Sequence, residues 1–165
     1  MATDLDAVRR LLAAGADPDG AFPLATPLME VVDTVGYYGA VEGAITDALI
    51  SAGADIHRRD RTGRTALHDA IQASPAAVGR LLRAGADPNQ TAFDGSAPLL
   101  DLARVVHMYL DTAQLLLDFG ADPNLVDEAG RTPIDIAVAE YTQDPSPEMA
   151  SAIDLPRQAS ARSEE

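Results

Sequence analysis

Short apolar segments recur along the chain, and each of them runs into the tripeptide Gly-Ala-Asp. The four copies of this tripeptide stand at positions 15–17, 53–55, 85–87 and 120–122. Their glycines are 38, 32 and 35 residues apart (15 to 53, 53 to 85 and 85 to 120). Such a period is typical of stacked repeats, in which each unit buries its apolar face against its neighbours.

The residues just before each glycine indicate where the shared core lies. Every repeat has large aliphatic residues four and three positions before the glycine: Leu11 and Leu12, Leu49 and Ile50, Leu81 and Leu82, Leu116 and Leu117. One helix pair cannot cover such residues, so we expect neighbouring units to cover them. A glycine directly after the last apolar residue also predicts a left-handed backbone conformation that ends the helix.

Apolar periodicity and helix start signals together predict a chain of short helices. In the first of them, Leu5, Val8 and Leu12 form one apolar stripe. A second start signal is Thr26 followed by Pro27, which combines a capping hydroxyl with a proline at the first helical position. The predicted helices span about 4–14, 27–35, 41–52, 66–73, 75–84, 98–106, 109–118, 133–140 and 147–154.

The motifs that connect these helices recur in a fixed order. Residues 63–68 read Gly-Arg-Thr-Ala-Leu-His, residues 130–134 read Gly-Arg-Thr-Pro-Ile, and residues 85–89 and 120–124 both read Gly-Ala-Asp-Pro-Asn. Over residues 4–154 the chain resembles the ankyrin-repeat family, whose pattern is a turn, Gly-x-Thr-Pro-Leu-His, two antiparallel helices and a Gly-Ala-Asp-x-Asn ending. The resemblance implies an all-α fold, an α-solenoid of stacked helix pairs with short β-hairpin fingers.

The same resemblance implies a division of the chain. Residues 1–154 would form the repeat domain, with a half-repeat at 1–20 that lacks its first helix and repeats at about 21–57, 58–89, 90–124 and 125–154. The repeat at 21–57 carries extra residues around 33–40. Residues 155–165 would be a disordered polar tail. The family's histidine, which joins neighbouring turns by hydrogen bonds, is kept at one matching position and replaced at the others: His68 against Met29, Leu100 and Asp135.

Charge and composition restrict the kinds of partner and chemistry. The formal net charge is −14, there is no cysteine, and all 12 basic residues are arginines. An acidic surface argues against nucleic-acid binding, whereas it permits a basic protein partner or simply keeps the protein in solution. No apolar run is long enough to span a membrane, and the start has no secretory signal. We therefore expect a cytoplasmic monomer that binds neither nucleic acid nor membranes.

No constellation of residues that carries known chemistry is found in the sequence. Without lysine there is no phosphate-binding loop of the Gly-x-x-x-x-Gly-Lys kind. The histidines have no metal-binding spacing and the paired carboxylates read as turn residues: His57, His68 and His107; Asp17 and Asp19; Asp127 and Glu128. The sequence thus predicts a protein that is not an enzyme and has no catalytic residues, metal or cofactor.

One turn concentrates positive charge, since residues 58–64 hold four of the arginines. In the ankyrin family such turns and the first helices line a concave binding surface. The resemblance implies these partner-facing positions: Arg59, Arg61, Arg64 and Gln72; Thr91, Phe93 and Arg104; Val126, Glu128 and Arg131. An aromatic residue in a turn, as at Phe93, could anchor a partner. Alternatively, the arginines merely balance nearby Asp60 and Asp94, and Tyr37 and Tyr38 either form a contact or pack against the first helices.

These observations predict a non-catalytic module for protein–protein interaction, which binds a protein partner through the concave face of stacked repeats. The alternative is an inhibitor or immunity-type protein that neutralises a basic effector or toxin. The first hypothesis depends on the arginines and Phe93. The second depends instead on the acidic residues of the same face, Asp33, Asp94, Asp101 and Glu128.

Overall fold

The computed structural model describes residues 5–20, 25–33, 39–105 and 110–143. The predicted helix at 147–154, the tail at 155–165 and the pair Tyr37 and Tyr38 lie outside the described residues.

The described residues form α-helices joined by turns and contain no β-strand, so the all-α fold is confirmed. The helices are α1 (Leu5–Ala13), α2 (Pro27–Val32), α3 (Ala40–Ser51), α4 (Ala66–Ala73), α5 (Pro75–Arg83), α6 (Pro98–Ala103), α7 (Leu110–Asp118) and α8 (Pro133–Gln143). None of them is long and apolar enough to cross a lipid bilayer.

The chain divides into two compact units, Met1–Ala86 and Asp87–Glu165. In the first unit, α2 pairs with α3 and α4 pairs with α5. Equivalent helices of successive repeats also pack together, with α2 on α4 and α3 between α1 and α5. In the second unit, α6 packs against both α7 and α8. Each unit therefore buries its core between the first and the second helices of neighbouring repeats. The first helices are α2, α4, α6 and α8, and the second helices are α1, α3, α5 and α7.

Three helix ends lie three residues away from the predicted ones. Helix α2 ends at Val32 and not near 35. Its C-cap is Asp33, whose N–H donates to the carbonyl of Met29. Helix α6 ends at Ala103 and not at 106, because the N–H of Arg104 turns back to Asp101 three residues earlier. Helix α8 continues to Gln143, past the predicted end at 140.

Helices α2, α4 and α8 each begin with a hydrogen bond from the N-cap backbone N–H to a side chain three residues later, but the accepting atom differs. In α4 the backbone N–H of Thr65 donates to Nδ1 of His68 at 3.1 Å. In α8 the N–H of Thr132 donates to Oδ2 of Asp135 at 2.9 Å. In α2 the sulfur of Met29 accepts from the N–H of Thr26 at 3.5 Å. A residue three positions into the helix thus satisfies the N-cap N–H, and the fully buried His68 has a structural role.

Each second helix within the described residues ends on a left-handed glycine, as the sequence predicts. The φ angles are 88° at Gly15, 92° at Gly53, 101° at Gly85 and 87° at Gly120. At Gly85 the glycine N–H donates to the carbonyl of Leu82, and the next N–H donates to the carbonyl of Leu81, both at 3.0 Å. This Schellman arrangement satisfies carbonyls at the helix end and turns the chain sharply.

Burial of the aliphatic residue before each glycine is not the same in every repeat. Leu81 and Leu116 are fully buried and Leu49 is 4% exposed, but Leu11 is 61% exposed. The expectation that neighbouring repeats cover this position in every repeat is therefore wrong at Leu11. The reason is that α1 packs chiefly on α3 and contains no buried residue.

We expect Leu81→Ala to lower the free energy of unfolding by roughly 2–5 kcal/mol, because it opens a cavity in a packed core. The matched variant Leu11→Ala should change it by less than about 0.5 kcal/mol, since that side chain is largely in solvent. Urea unfolding followed by far-ultraviolet circular dichroism measures both values. Equal losses for the two variants would contradict the difference in burial.

Candidate functional site

The turn at residues 58–64, called the arginine turn below, is shaped by one aspartate. Oδ1 of Asp60 accepts hydrogen bonds from the N–H and hydroxyl of Thr62, both at 2.8 Å, and from the N–H of Arg64 at 2.9 Å. The N–H of Asp60 donates to the carbonyl of Arg64, and Gly63 takes φ 83°. Partial burial raises the pKa of Asp60, but the hydrogen bonds from Thr62 and Arg64 outweigh it, so the pKa lies below its ordinary value.

The arginines of this turn have different surroundings. Nη1 of Arg59 donates to the carbonyl of Gly63 at 3.2 Å. Nε of Arg64 pairs with Oδ1 of Asp69 in α4 at 3.4 Å, which leaves Arg64 half-buried. Arg61 is exposed and pairs with no acidic side chain among the described residues. The positive charge at the tip of the turn therefore belongs mainly to Arg61.

Asp69 is the carboxylate that holds Arg64 in place. Its side chain is 22% exposed. Burial raises the pKa of Asp69 to about 6, because the charge of Arg64 only partly offsets the desolvation, and Asp33 and Asp60 add to the rise. The Arg64–Asp69 pair is therefore weakened by acid well above the ordinary pKa of an aspartate.

The next turn, residues 92–96, is called the phenylalanine turn and has the same backbone frame. The N–H of Ala92 donates to the carbonyl of Ser96 at 2.8 Å, and Oδ1 of Asp94 accepts from the N–H of Ser96 at 3.0 Å. Gly95 has φ 74°. Phe93 stands at the tip and is 72% exposed. A large aromatic ring is thus held in solvent on a backbone that its own hydrogen bonds define.

The third turn, residues 127–131, is called the last turn and is organised by Asp127, whose side chain is 4% exposed. Its Oδ1 accepts from the N–H groups of Ala129 and Arg131, both at 2.9 Å. Its Oδ2 accepts from Nε and Nη2 of Arg131 at 3.0 and 2.8 Å, and from Nη2 of Arg104 at 3.1 Å. One carboxylate therefore fixes both the backbone of the turn and two arginines.

This concentration of donors changes the acidity of Asp127. The hydrogen bond from the Arg131 backbone lowers its pKa most, burial opposes that change, and the Arg131 side chain and the Ala129 backbone lower it further, to about 2. Asp127 therefore stays ionised well into the acid range, and its contacts with the two arginines persist there.

Arg104 also links the last turn to the phenylalanine turn within the second unit. Its Nη1 donates to Oγ of Ser96 at 3.1 Å and to Oδ1 of Asp101 at 3.3 Å, while its Nη2 reaches Asp127. Glu128 lies against the phenylalanine turn, since a Cβ placed on Gly95 would be 3.5 Å from its Cγ. The two turns are thus tied together by side chains.

The three turns align residue by residue, and their tips differ in chemistry. Asp60, Ala92 and Asp127 stand first in the frame, and the glycines 63, 95 and 130 stand fourth. The second position, at the tip, is Arg61 in the first unit and Phe93 and Glu128 in the second, and all three are exposed. Equivalent tips thus carry a cation, an aromatic ring and an anion.

The structure places the sequence-predicted binding residues in two groups, one in each unit. Arg59, Arg61, Arg64 and Gln72 belong to the first unit, and the remaining described ones belong to the second: Thr91, Phe93, Arg104, Val126, Glu128 and Arg131. All of them are exposed except the half-buried Arg64. Tyr37 and Tyr38 lie outside the described residues, and the role of every residue in this set stays a prediction.

Sequence reasoning missed two positioning residues, Asp69 and the buried Asp127. The sequence predicts only a turn carboxylate at Asp127, although it contains a signal for more: residues 60–64 and 127–131 share the pattern Asp-x-x-Gly-Arg. Asp69 had no such signal, because its contact with Arg64 depends on how α4 leaves the turn. Among the described residues, no group of three histidine or acidic side chains could hold a metal ion.

Comparison with known proteins identifies the repeats. Residues 62–92 match the family model described as ankyrin repeat, and residues 99–140 match the model described as ankyrin repeats in many copies. Human BCL-6 corepressor-like protein 1 is 39% identical over 87 residues, which are 52% of this chain and 5% of that protein. Neurogenic locus notch homolog protein 1 of Xenopus laevis is 33% identical over 93 residues, 55% of this chain and 4% of that protein. The chain therefore spans only a small part of the length of these relatives.

We expect the Asp69 carboxylate to make the protein more stable as the pH falls from about 7 to 4. Its pKa is raised in the folded state, so the folded protein binds this proton more tightly than the unfolded chain with its value of 3.8. The gain should be at most about 2–3 kcal/mol. Asp69→Asn should remove this part of the pH dependence, as measured by urea unfolding at several pH values. An unchanged profile in the variant would contradict the role given to Asp69.

Asp127 should act in the opposite direction, because its pKa is lowered in the folded state. Its stabilisation is complete above pH 4 or so and is lost as the pH falls towards about 2. Asp127→Asn should therefore be less stable than the wild type at neutral pH, and the difference should shrink in that acid range. Thermal unfolding of both proteins across the range tests this. A difference that is constant with pH would show that the carboxylate charge is not what stabilises the turn.

Proposed function

We propose that this chain, which belongs to the ankyrin-repeat family, binds a protein partner through the exposed tips of its turns. The family matches and the relatives indicate a module for protein–protein interaction. The proposal adds the surface, namely the turns and first helices of the concave face. The observation that carries it is the 72% exposure of Phe93 on a turn that is fixed from several sides.

The phenylalanine turn supports the proposal because it is organised before any partner arrives. Ser96 and Asp94 hold the backbone from within, and Arg104 ties the turn to Asp127. A fixed aromatic side chain loses little conformational entropy on binding, and aromatic residues are enriched among those that dominate binding energy. Exposed Val126, which directly precedes the last turn, adds apolar area within the same unit.

The arginine turn supports a different contribution to binding. Arg61 is exposed at its tip, whereas Arg64 is engaged with Asp69. An exposed charge chiefly affects how fast a partner associates and how strongly salt affects that rate. We therefore assign Arg61 to steering and Phe93 to retention of the partner. Arg104 and Arg131 are assigned a smaller share, because Asp127 already pairs with both.

The proposal also covers what the family resemblance implies for the rest of the chain. Ankyrin repeats are typically not enzymes, and we propose a module without catalytic residues or cofactor that acts as a cytoplasmic monomer and does not bind nucleic acid. We propose residues 1–154 as the repeat domain and 155–165 as a polar tail. Substitution of Phe93 and neutralisation of exposed acidic residues are expected to have opposite effects in the two possible binding modes, so such variants test the binding mode directly.

A second candidate is an inhibitor that captures a basic effector. The observation that favours it is the net charge of −14, together with the exposure of Asp33 and Glu128. Asp101 fits this role poorly, because its side chain is 10% exposed and pairs with Arg104. An inhibitor would silence its partner's activity, whereas an adaptor would leave it intact.

With a partner recovered by pull-down, Phe93→Ala should accelerate dissociation by up to about 30-fold, the equivalent of about 2 kcal/mol. Phe119→Ala is the matched control, since Phe119 is 41% exposed at the end of α7 and outside the turns. Arg61→Glu should slow association and reduce its salt dependence. Binding kinetics at low and high salt measure all three variants.

The acidic alternative predicts the reverse pattern in the same experiment. Neutralising Asp33 and Glu128 would then weaken binding, and Arg61→Glu would leave it unchanged or tighten it. If Phe93→Ala, Arg61→Glu and the acidic variants all bind like the wild type, the turns are not the interface and the proposed surface is refuted.

A further inference from the structure

An apolar groove in the first unit is separate from the three turns. It has a volume of about 400 Å³ and lies between α1, α2 and α3. Apolar side chains of all three helices form its walls: Val8, Leu11 and Leu12 from α1, Val31 from α2, and Ile45 and Leu49 from α3. Its volume is within the range of sites that hold small ligands or the side chains of a partner, about 300–1,000 Å³.

The groove lies beside α1, a helix that has no first helix of its own repeat next to it among the described residues. Helix α1 ends on Gly15 in the same Schellman arrangement as α3 and α5, and it packs on α3 as α3 packs on α5. Helices α3 and α5 each have a first helix beside them, α2 and α4, whereas α1 has none among the described residues. The consequence is seen at one position of the repeat, where Leu11 is 61% exposed and Leu81 is fully buried.

The rim of the groove is acidic. Asp17, Glu30 and Glu42 are among its lining residues, and none of its described lining residues is basic. Glu42 also accepts from the N–H of Gly39 at 3.0 Å, which holds that carboxylate at the start of α3. Glu30 is exposed on α2. An apolar floor with negative charge at its edge favours an apolar ligand that carries positive charge.

This charge pattern decides between the possible occupants. A second copy of the chain would bring its own acidic rim and its net charge of −14 against the first, which is unfavourable. We propose that the groove binds an amphipathic helix of a partner protein, with apolar residues on one face and arginine or lysine beside them. Its apolar side chains enter next to Leu11, and its cations meet Glu30 and Glu42. Helix-in-groove recognition of this kind uses apolar anchors spaced by three and four residues.

Two synthetic peptides provide the probe. One is an alanine-based helix of about 14 residues with leucines at i, i+3, i+4 and i+7 and arginines beside them. The other has glutamate in place of each arginine. Binding of each fluorescent peptide to the full chain is followed by anisotropy at low and moderate salt. We expect saturable binding of the arginine peptide and at least about tenfold weaker binding of its glutamate twin.

Variants of the chain then locate the bound peptide. Leu11→Ser and Glu30→Arg should each weaken the arginine peptide by about fivefold or more, with unchanged circular dichroism, because both side chains are exposed. Val41→Ser is the matched control, since Val41 is 43% exposed on α3 and does not line the groove. It should bind like the wild type, as should Phe93→Ala, which separates this site from the turns.

Three results would overturn the proposal. The first is no binding of the arginine peptide at concentrations up to about 1 mM. The second is equal binding by the wild type and Leu11→Ser, which would place the peptide elsewhere. The third is a concentration-dependent dimer of the free chain that Leu11→Ser abolishes, since a second copy would then occupy the groove.

Discussion

The described structure depends on one constraint, a left-handed glycine that follows the second helix of each repeat. At Gly85 and its three equivalents, positive φ lets two N–H groups turn back onto carbonyls of the last helical turn. The helix therefore stops at a defined residue, and the chain leaves in a defined direction. At Gly53, Gly85 and Gly120 the aliphatic residue that supplies an accepting carbonyl also fills the core, so the same few residues end the helix and bury its apolar face. That connection makes one short motif sufficient to build a repeat.

Between these fixed ends, aspartates shape the turns and leave the tips free to vary. Asp60 and Asp127 each accept backbone hydrogen bonds across their own turn, so the frame does not depend on the side chain at the tip. Arg61, Phe93 and Glu128 can therefore occupy one frame without altering it. A rigid frame with variable tips is a suitable arrangement for recognition, because binding then does not require the turn to become ordered.

Surroundings, and not residue type, determine what each charged group does. Burial raises the pKa of Asp69, whereas hydrogen bonds from Arg131 and its neighbours lower that of Asp127. The same holds for the arginines, since Arg104 is bound by three side chains of the second unit while Arg61 is exposed. In the groove beside α1, the acidic residues at the rim favour a cationic occupant, which the apolar floor alone would not select.

The sequence by itself determined the features that depend on neighbours a few residues away. The helix ends at the glycines, the starts at Thr26 and Thr65 and the all-α repeat class follow from local hydrogen bonds and apolar spacing, so they could be predicted. Only the tertiary structure decided which equivalent positions are covered and which charges meet. Leu11 and Leu81 are alike in sequence context but differ in burial, and Arg104 meets Asp127 across 23 residues of chain. The physical reason is that burial and ion pairing are set by what packs alongside, which no local pattern of residues contains.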